Sequence, residues 1–145
     1  MNDSSGQPSI RKYLGKYGEY RVLSKLLELE IEGYLAIKQN QADYDITAIP
    51  HRNKVIRIQV KTTFLGNKST NNLVGTIDRN FDFLVIVVIR EADCVDFFVL
   101  SKKEALKIKG DSKNLGVSMR VKKQFVVKPE IAIYQNKWGK LKKAT

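Results

Sequence analysis

Three features of the chain place acid–base or cation-binding side chains where simpler residues would do. Glu19 falls four residues before Leu23 and seven before Leu26, on or beside the apolar stripe of a helical pattern. A carboxylate facing a core is costly unless it is paired or binds a cation. The plainer alternative is an edge position that reaches solvent or pairs with Lys16. Asp45 lies between Tyr44 and Ile46 in a segment that reads as a strand, where Asp is disfavoured. The plainer alternative there is a strand-end residue that bonds a turn. Gln59 and Lys61, two residues apart, share one strand face opposite Ile56, Ile58 and Val60. A lysine held next to a carboxylate can orient or deprotonate a water and screen a phosphate. The alternative for the pair is an exposed polar face. Other chemistries are poorly served. No G-x-x-x-x-G-K-[ST] phosphate loop occurs, and Gly15-Lys16-Tyr17-Gly18 lacks that pattern. The single histidine, His51, reads as a turn residue, and the single cysteine, Cys94, as a core thiol. One of each excludes an internal disulfide framework, a multi-thiolate zinc site and a two-His metal motif.

These residues need elements to position them. Tyr20, Leu23, Leu26, Leu27 and Ile31 recur at helical spacing, predicting a helix from about Ser9 to Glu30 that Gly33 closes. Tyr34 to Lys38 reads as extended, and Gln39 to Ala42 as a polar turn. Asp43 to Ile49 predicts a strand stopped by Pro50, and Lys54 to Thr63 a second strand after a turn at 51–53. Gly66 to Gly75 reads as a polar loop. Phe81 to Ile89 is almost continuously apolar, as a strand buried on both faces would be. Cys94 to Leu100 is its partner across the turn at 91–93. Ser101 with Glu104 forms a capping box opening a helix over Lys102 to Lys109. A loop at 110–114 and an extended stretch, Leu115 to Val127, follow. Pro129 opens a last helix carrying Ile131, Tyr134, Trp138 and Leu141, although Ile131 and Ile133 also fit alternation. Without repeats or linkers, the chain reads as a flexible arm over 1–9 and one α/β domain over 10–145, built on a mixed sheet.

The chain has 145 residues, 43% of them hydrophobic, enough for a core and too many for a disordered chain. Its 26 basic and 15 acidic side chains give a formal charge of +11. Residues 1–100 hold 13 basic and 12 acidic groups, whereas residues 101–145 hold 13 and 3. A clustered positive field attracts a polyanion, most often nucleic acid; a solubilising surface is the alternative. Lys12, Lys16, Lys68, Arg120, Lys122 and Lys123 are the expected nucleic-acid contacts, with further charge from Lys137 to Lys143. No apolar run approaches the roughly 20 residues of a membrane helix, and the N-terminus lacks the features of a secretory signal. An intracellular, cytoplasmic protein with no membrane partner is expected.

The order is Glu on the first helix, Asp on a strand, a turn, then Q-x-K on the next strand. It resembles the PD-(D/E)XK nuclease superfamily, which has the restriction-endonuclease-like fold, a central mixed β-sheet flanked by helices. GEY at 18–20, YDI at 44–46 and IQVKTT at 58–63 are similar to the small group I intron-associated homing endonuclease branch, which uses Gln where most relatives have Asp or Glu. The resemblance covers roughly residues 15–100. It implies a catalytic set of Glu19, Asp45, Gln59 and Lys61. Asp45 would be the principal Mg²⁺ ligand, with Mn²⁺ as a substitute. Gln59 would give its amide oxygen and Val60 its carbonyl. Lys61 would position and activate the attacking water, and Glu19 would hold a second metal or a metal-bound water. The activity implied is a metal-dependent endonuclease on double-stranded DNA, site-specific and working as a homo-oligomer, a dimer or tetramer. The alternatives are a Holliday junction resolvase on the same fold and a DNA-binding module without catalysis.

Overall fold

The spine of the fold is an 11-residue strand, Lys54–Phe64 (β3), rich in the β-branched residues that suit a pleated surface. In the computed structural model, which describes residues 12–36, 44–66, 72–74, 80–91 and 93–143, β3 is the middle strand of five. Glu32–Leu35 (β1) and Ile46–His51 (β2) lie on one side of it, and Phe83–Glu91 (β5) and Cys94–Ser101 (β6) on the other. β3 and β5 run parallel, from Ile58↔Phe83 to Phe64↔Ile89, and the other neighbours are antiparallel, so the sheet is mixed as expected.

Alternation sorts the sheet's side chains into two cores. Ile56, Ile58 and Val60 of β3 join Phe83, Val85 and Val87 of β5 beneath the helix Leu14–Glu28 (α1). Leu84, Ile86 and Val88 of β5 face the other way, onto Phe98, Leu100, Ala105, Leu115 and Ile131. β5 is therefore buried on both faces, which is why its sequence is apolar at nearly every position. The helix Lys102–Lys109 (α2) covers the second face and starts at the expected capping box. Glu104 accepts from the Ser101 N–H at 2.8 Å and from Lys140 Nζ at 2.6 Å, so the box also ties down the C-terminal segment.

Several expectations are corrected. The helix α1 buries Gly18, Val22 and Leu26, while Tyr20 and Leu27 point to solvent. Leucines on both sides of α1 made two stripes compatible with helical spacing, and packing selects the one with the small Gly18. The helix ends at Glu28, and Glu30 takes the left-handed backbone (φ 62°) that ends it. Gly33 instead lies in β1, with Leu23 and Leu26 close above it. Pro50 does not stop β2. It falls where the β2–β3 register shifts between Ala48 and His51, beyond the last β1 partner Ile49, so its missing N–H leaves no ladder bond unmade. Within the expected 66–75 loop, Asn72–Val74 (β4) pairs with Asn114–Gly116 (β7). The extended stretch that follows is a hairpin, Ser118–Val121 (β8) and Gln124–Val127 (β9). The final helix is two short ones, Pro129–Ala132 (α3) and Gly139–Lys142 (α4). Between them, Tyr134 C=O accepts from Val99 N–H at 3.0 Å and Asn136 N–H donates to Phe97 C=O at 2.8 Å. This segment covers the outer edge of β6, and pairing an exposed strand edge wins over continuing a helix. The expected arm at 1–9, the turn at 39–42 and Lys68 lie outside the described residues.

Candidate active site

The β2–β3 ladder has its last Cα pair at Ile46↔Ile58, and the site begins there. Asp45 stands one residue before β2 rather than inside it. Its N–H still donates to Ile58 C=O at 2.8 Å, and its C=O accepts from Ala36 N–H at 2.8 Å. Val60 is two residues on, so its N–H points to the same side of β3 as the Ile58 carbonyl. It donates to Asp45 Oδ2 at 2.7 Å, a side chain taking the place of a ladder carbonyl. By strand geometry the Val60 carbonyl leaves β3 on the same side as its N–H.

Gln59 lies across from Asp45 and donates Nε2 to the same Oδ2 at 3.1 Å. That bond fixes the amide orientation, since the reverse would set two acceptors against each other. Gln59 is only 6% exposed, and its Oε1 has no hydrogen-bond partner although it is fully buried. Of the three side-chain atoms in that condition among the described residues, Gln59 Oε1 alone belongs to a residue bonded to a carboxylate. A buried acceptor without a donor costs about 1–3 kcal/mol unless something supplies positive charge. The exposed polar face considered for the pair is therefore wrong for Gln59. Lys61 follows on the same face, beside Ile86, and its charge favours the ionised form of Asp45.

Glu19 comes to this place on α1. Burial, and then the charge of Asp45, raise its pKa, while Lys16 opposes the rise. Lys16 Nζ donates to Glu19 Oε1 at 3.3 Å. Glu19 is thus both the partner of Lys16 and a neighbour of Asp45, so the two readings of it are compatible. Asp45 is also raised, chiefly by burial, against the Val60 N–H, Lys61 and Lys16. Both carboxyls stay raised although Lys16 and Lys61 act on them, so with the orphaned amide oxygen of Gln59 the place would gain from a further positive charge.

The seat of Glu19 depends on a residue that spacing did not single out for packing. A Cβ on Gly18 would fall 1.8 Å from Thr62 Oγ1, so α1 touches β3 backbone to side chain, one residue past Lys61. Gly18 sits in the same G-E-Y word as Glu19, and a glycine mid-helix is itself a signal of close approach. Of the expected nucleic-acid contacts, Lys12 and Lys16 lie at the start of α1, with Lys12 over the Tyr13 ring. Arg120, Lys122 and Lys123 are exposed on the β8–β9 hairpin, away from the carboxylates in sequence and element.

Among the described residues no three His, Cys, Asp or Glu side chains cluster as metal ligands. Two carboxylates, one amide oxygen and a backbone carbonyl fit Mg²⁺ all the same, because it keeps several waters and takes one or two carboxylates. No protein-family model matches the sequence, and no curated protein matches it. Among solved structures, the chain is similar to a bacterial homing endonuclease, I-Ssp6803I, with a TM-score of 0.64, 17% identity and 91% of each chain covered. The chain thus has the restriction-endonuclease-like fold expected of it, a central mixed β-sheet flanked by helices. It is also similar to the Holliday junction resolvase Hjc of Archaeoglobus fulgidus, at TM-score 0.48 and 11% identity, covering 82% of this chain and 88% of that one. A fold alone carries no activity, and the chemistry of this site follows from its residues.

Proposed function

We propose that the protein is a metal-dependent endodeoxyribonuclease that hydrolyses phosphodiester bonds of double-stranded DNA at specific sites. The observation that carries this reading is the buried, unpartnered Oε1 of Gln59, whose Nε2 bonds Asp45, a carboxyl that is raised together with its neighbour Glu19. Asp45, Gln59 Oε1 and the Val60 carbonyl would hold Mg²⁺, with Mn²⁺ as a substitute, and Glu19 would serve a further coordinating position. When bound, the metal polarises the scissile phosphate and stabilises the leaving oxygen. The chain's own residues do the rest. Val60 N–H and Gln59 Nε2 both bond Asp45 Oδ2, which fixes the carboxylate's orientation without moving parts. Lys61 Nζ orients the attacking water and screens the phosphate from the carboxylates. Lys12, Lys16, Lys68, Arg120, Lys122 and Lys123 supply phosphate contacts, and the excess charge beyond residue 100 raises the local concentration of DNA. Cutting both strands of a duplex takes two such sites, which a symmetric homo-oligomer, a dimer or tetramer, provides.

The test is incubation of plasmid, linear duplex and four-way junction with the protein in Mg²⁺, Mn²⁺ or EDTA. Cleavage of plasmid and linear duplex with either metal, and none in EDTA, is expected. Exclusive cutting of the junction would replace duplex DNA with a branched substrate. Binding without any cutting would reduce the protein to a DNA-binding module.

A further inference from the structure

We propose that the β8–β9 hairpin is a reading ribbon: one of its faces, formed by Met119, Val121, Gln124 and Val126, enters the major groove of duplex DNA and contacts bases. This rests on the nuclease reading above and adds the element that chooses the site. Residues 119–126 are all exposed, although the ribbon pairs fully from Ser118↔Val127 to Val121↔Gln124. Directly paired residues share a face. Ser118, Arg120, Phe125 and Val127 form the face turned to the domain. A Cβ on Gly66 would meet the Phe125 ring at 2.5 Å, Ser118 Oγ accepts from Gly66 N–H at 3.3 Å, and Val127 packs on the second core. Phe125 keeps 41% exposure on that face, and the opposite face leaves Met119, Val121 and Val126 38%, 43% and 37% exposed, beside Gln124.

Charge selects the occupant. Residues 112–129 contain five cations, Lys113, Arg120, Lys122, Lys123 and Lys128, and no carboxylate. Lys122 and Lys123 occupy the two-residue turn at the tip with φ 50° and 69°. Positive φ at both positions is the pattern of a type I′ turn, which favours Asn-Gly and disfavours lysine. Two lysines held there against backbone preference place paired cations at the end of the ribbon, which a polyanion would use. A two-stranded ribbon fits the major groove, about 12 Å wide, where apolar side chains meet thymine methyls and Gln bonds adenine N6 and N7. The face therefore suits steps containing A·T pairs. The ribbon's anchor, Gly66, is five residues after Lys61 on the same run of chain. At about 3.3 Å per residue it lies within roughly 17 Å of Lys61, about half a turn of duplex. Reading and cutting then fall a few base pairs apart.

The experiment is selection of bound duplexes from a randomised pool, in a Lys61→Ala background that blocks cutting, followed by affinity against salt. The background protein should select a motif containing A·T pairs. Gln124→Ala should lose roughly five- to hundredfold preference at one position while binding unselected DNA as before. Lys122→Asn with Lys123→Gly, which suits the turn and keeps the hairpin, should weaken binding to all sequences alike. It should lower the slope of log K on log salt by about 1.8 while keeping the motif. Val121→Ser with Val126→Ser should weaken the motif without changing the mass in solution. An unchanged motif in the Gln124 and double-Val variants overturns the ribbon assignment, as does a loss of oligomer mass in the double-Val variant, which would make this face a contact between copies. If the Lys61→Ala background and the wild type both bind no duplex, the nuclease reading itself fails, a distinct result.

Discussion

Asp45 and Glu19 hold their protons more tightly than free carboxyls, mainly because they are partly buried. Folded-state pKa values raised above the ordinary 3.8 and 4.5 contribute stability below those values, and it is lost as pH rises through the raised ones. At pH 7 without metal the two charges therefore oppose folding, and a bound cation relieves them. Asp45→Asn keeps an acceptor for the Val60 N–H and removes one charge. Thermal melts at pH 7 should show this variant as stable as wild type or more so without metal, and unmoved by millimolar Mg²⁺ that raises the wild-type Tm. Equal stabilisation of both by Mg²⁺ would place the metal elsewhere. Gln59→Glu sharpens the same point. It sets a third carboxylate where Nε2 now donates to Asp45 Oδ2 at 3.1 Å. The metal-free protein should melt lower, and calorimetry should show tighter Mg²⁺ binding than in wild type, with Gln59→Ala weaker than both. Identical titrations of the three proteins would remove Gln59 from the metal shell. At this scale the sequence was readable on β3, because strict alternation puts Gln59 and Lys61 on one face. That Gln59 would be buried with an orphaned oxygen was not, since burial there comes from neighbouring strands and not from its own segment.

Among the elements, α1 shows how a small residue decides a site. Alanine at a helix interior normally gains up to about 1 kcal/mol over glycine. At Gly18 the added Cβ would lie 1.8 Å from Thr62 Oγ1 and 3.0 Å from Thr62 Cβ, so overpacking wins. Gly18→Ala should destabilise the fold by about 1–3 kcal/mol in urea melts and lift Glu19 from Asp45. Adding Thr62→Ala removes the hydroxyl and should restore part of that loss; no recovery would mean that α1 meets β3 through some other contact. The sequence pattern showed that α1 is a helix but chose the wrong face for Tyr20 and Leu27, because its leucines fit two stripes and only the Gly18–Thr62 approach separates them. The capping box of α2 and the doubly buried β5 were legible because each rests on local chemistry. The β4–β7 pair, the hairpin and the break between α3 and α4 depend on what lies opposite in space, and β6's need for an edge partner is not written in residues 129–142.

For the molecule as a whole, the positive charge after residue 100 is divided by the structure into two kinds. Lys140 is held by Glu104 at 2.6 Å and lies over the Tyr134 ring, so it does not contribute a free phosphate contact. Trp138 and Leu141 are in the first core. Deleting 137–143 would therefore unfold part of the domain, and point substitution of exposed Lys137, Lys142 and Lys143 is the sound test of their charge. Replacing these three by Ala should flatten the salt slope of DNA binding by about 0.9 for each true contact; an unchanged slope would assign them to solubility. Among the described residues no helix is long and apolar enough to cross a membrane.

The central claim is that Asp45, Gln59, Lys61 and Glu19 form one metal-dependent site for cutting DNA. Cleavage of supercoiled plasmid by wild type and Lys61→Ala, each in Mg²⁺ and in EDTA, with binding measured in parallel, tests it most directly. Wild type should cut in Mg²⁺ and not in EDTA, and Lys61→Ala should bind DNA as well as wild type but cut more slowly by about 100-fold or more. Cutting by Lys61→Ala at the wild-type rate, or cutting that persists in EDTA, would contradict the account.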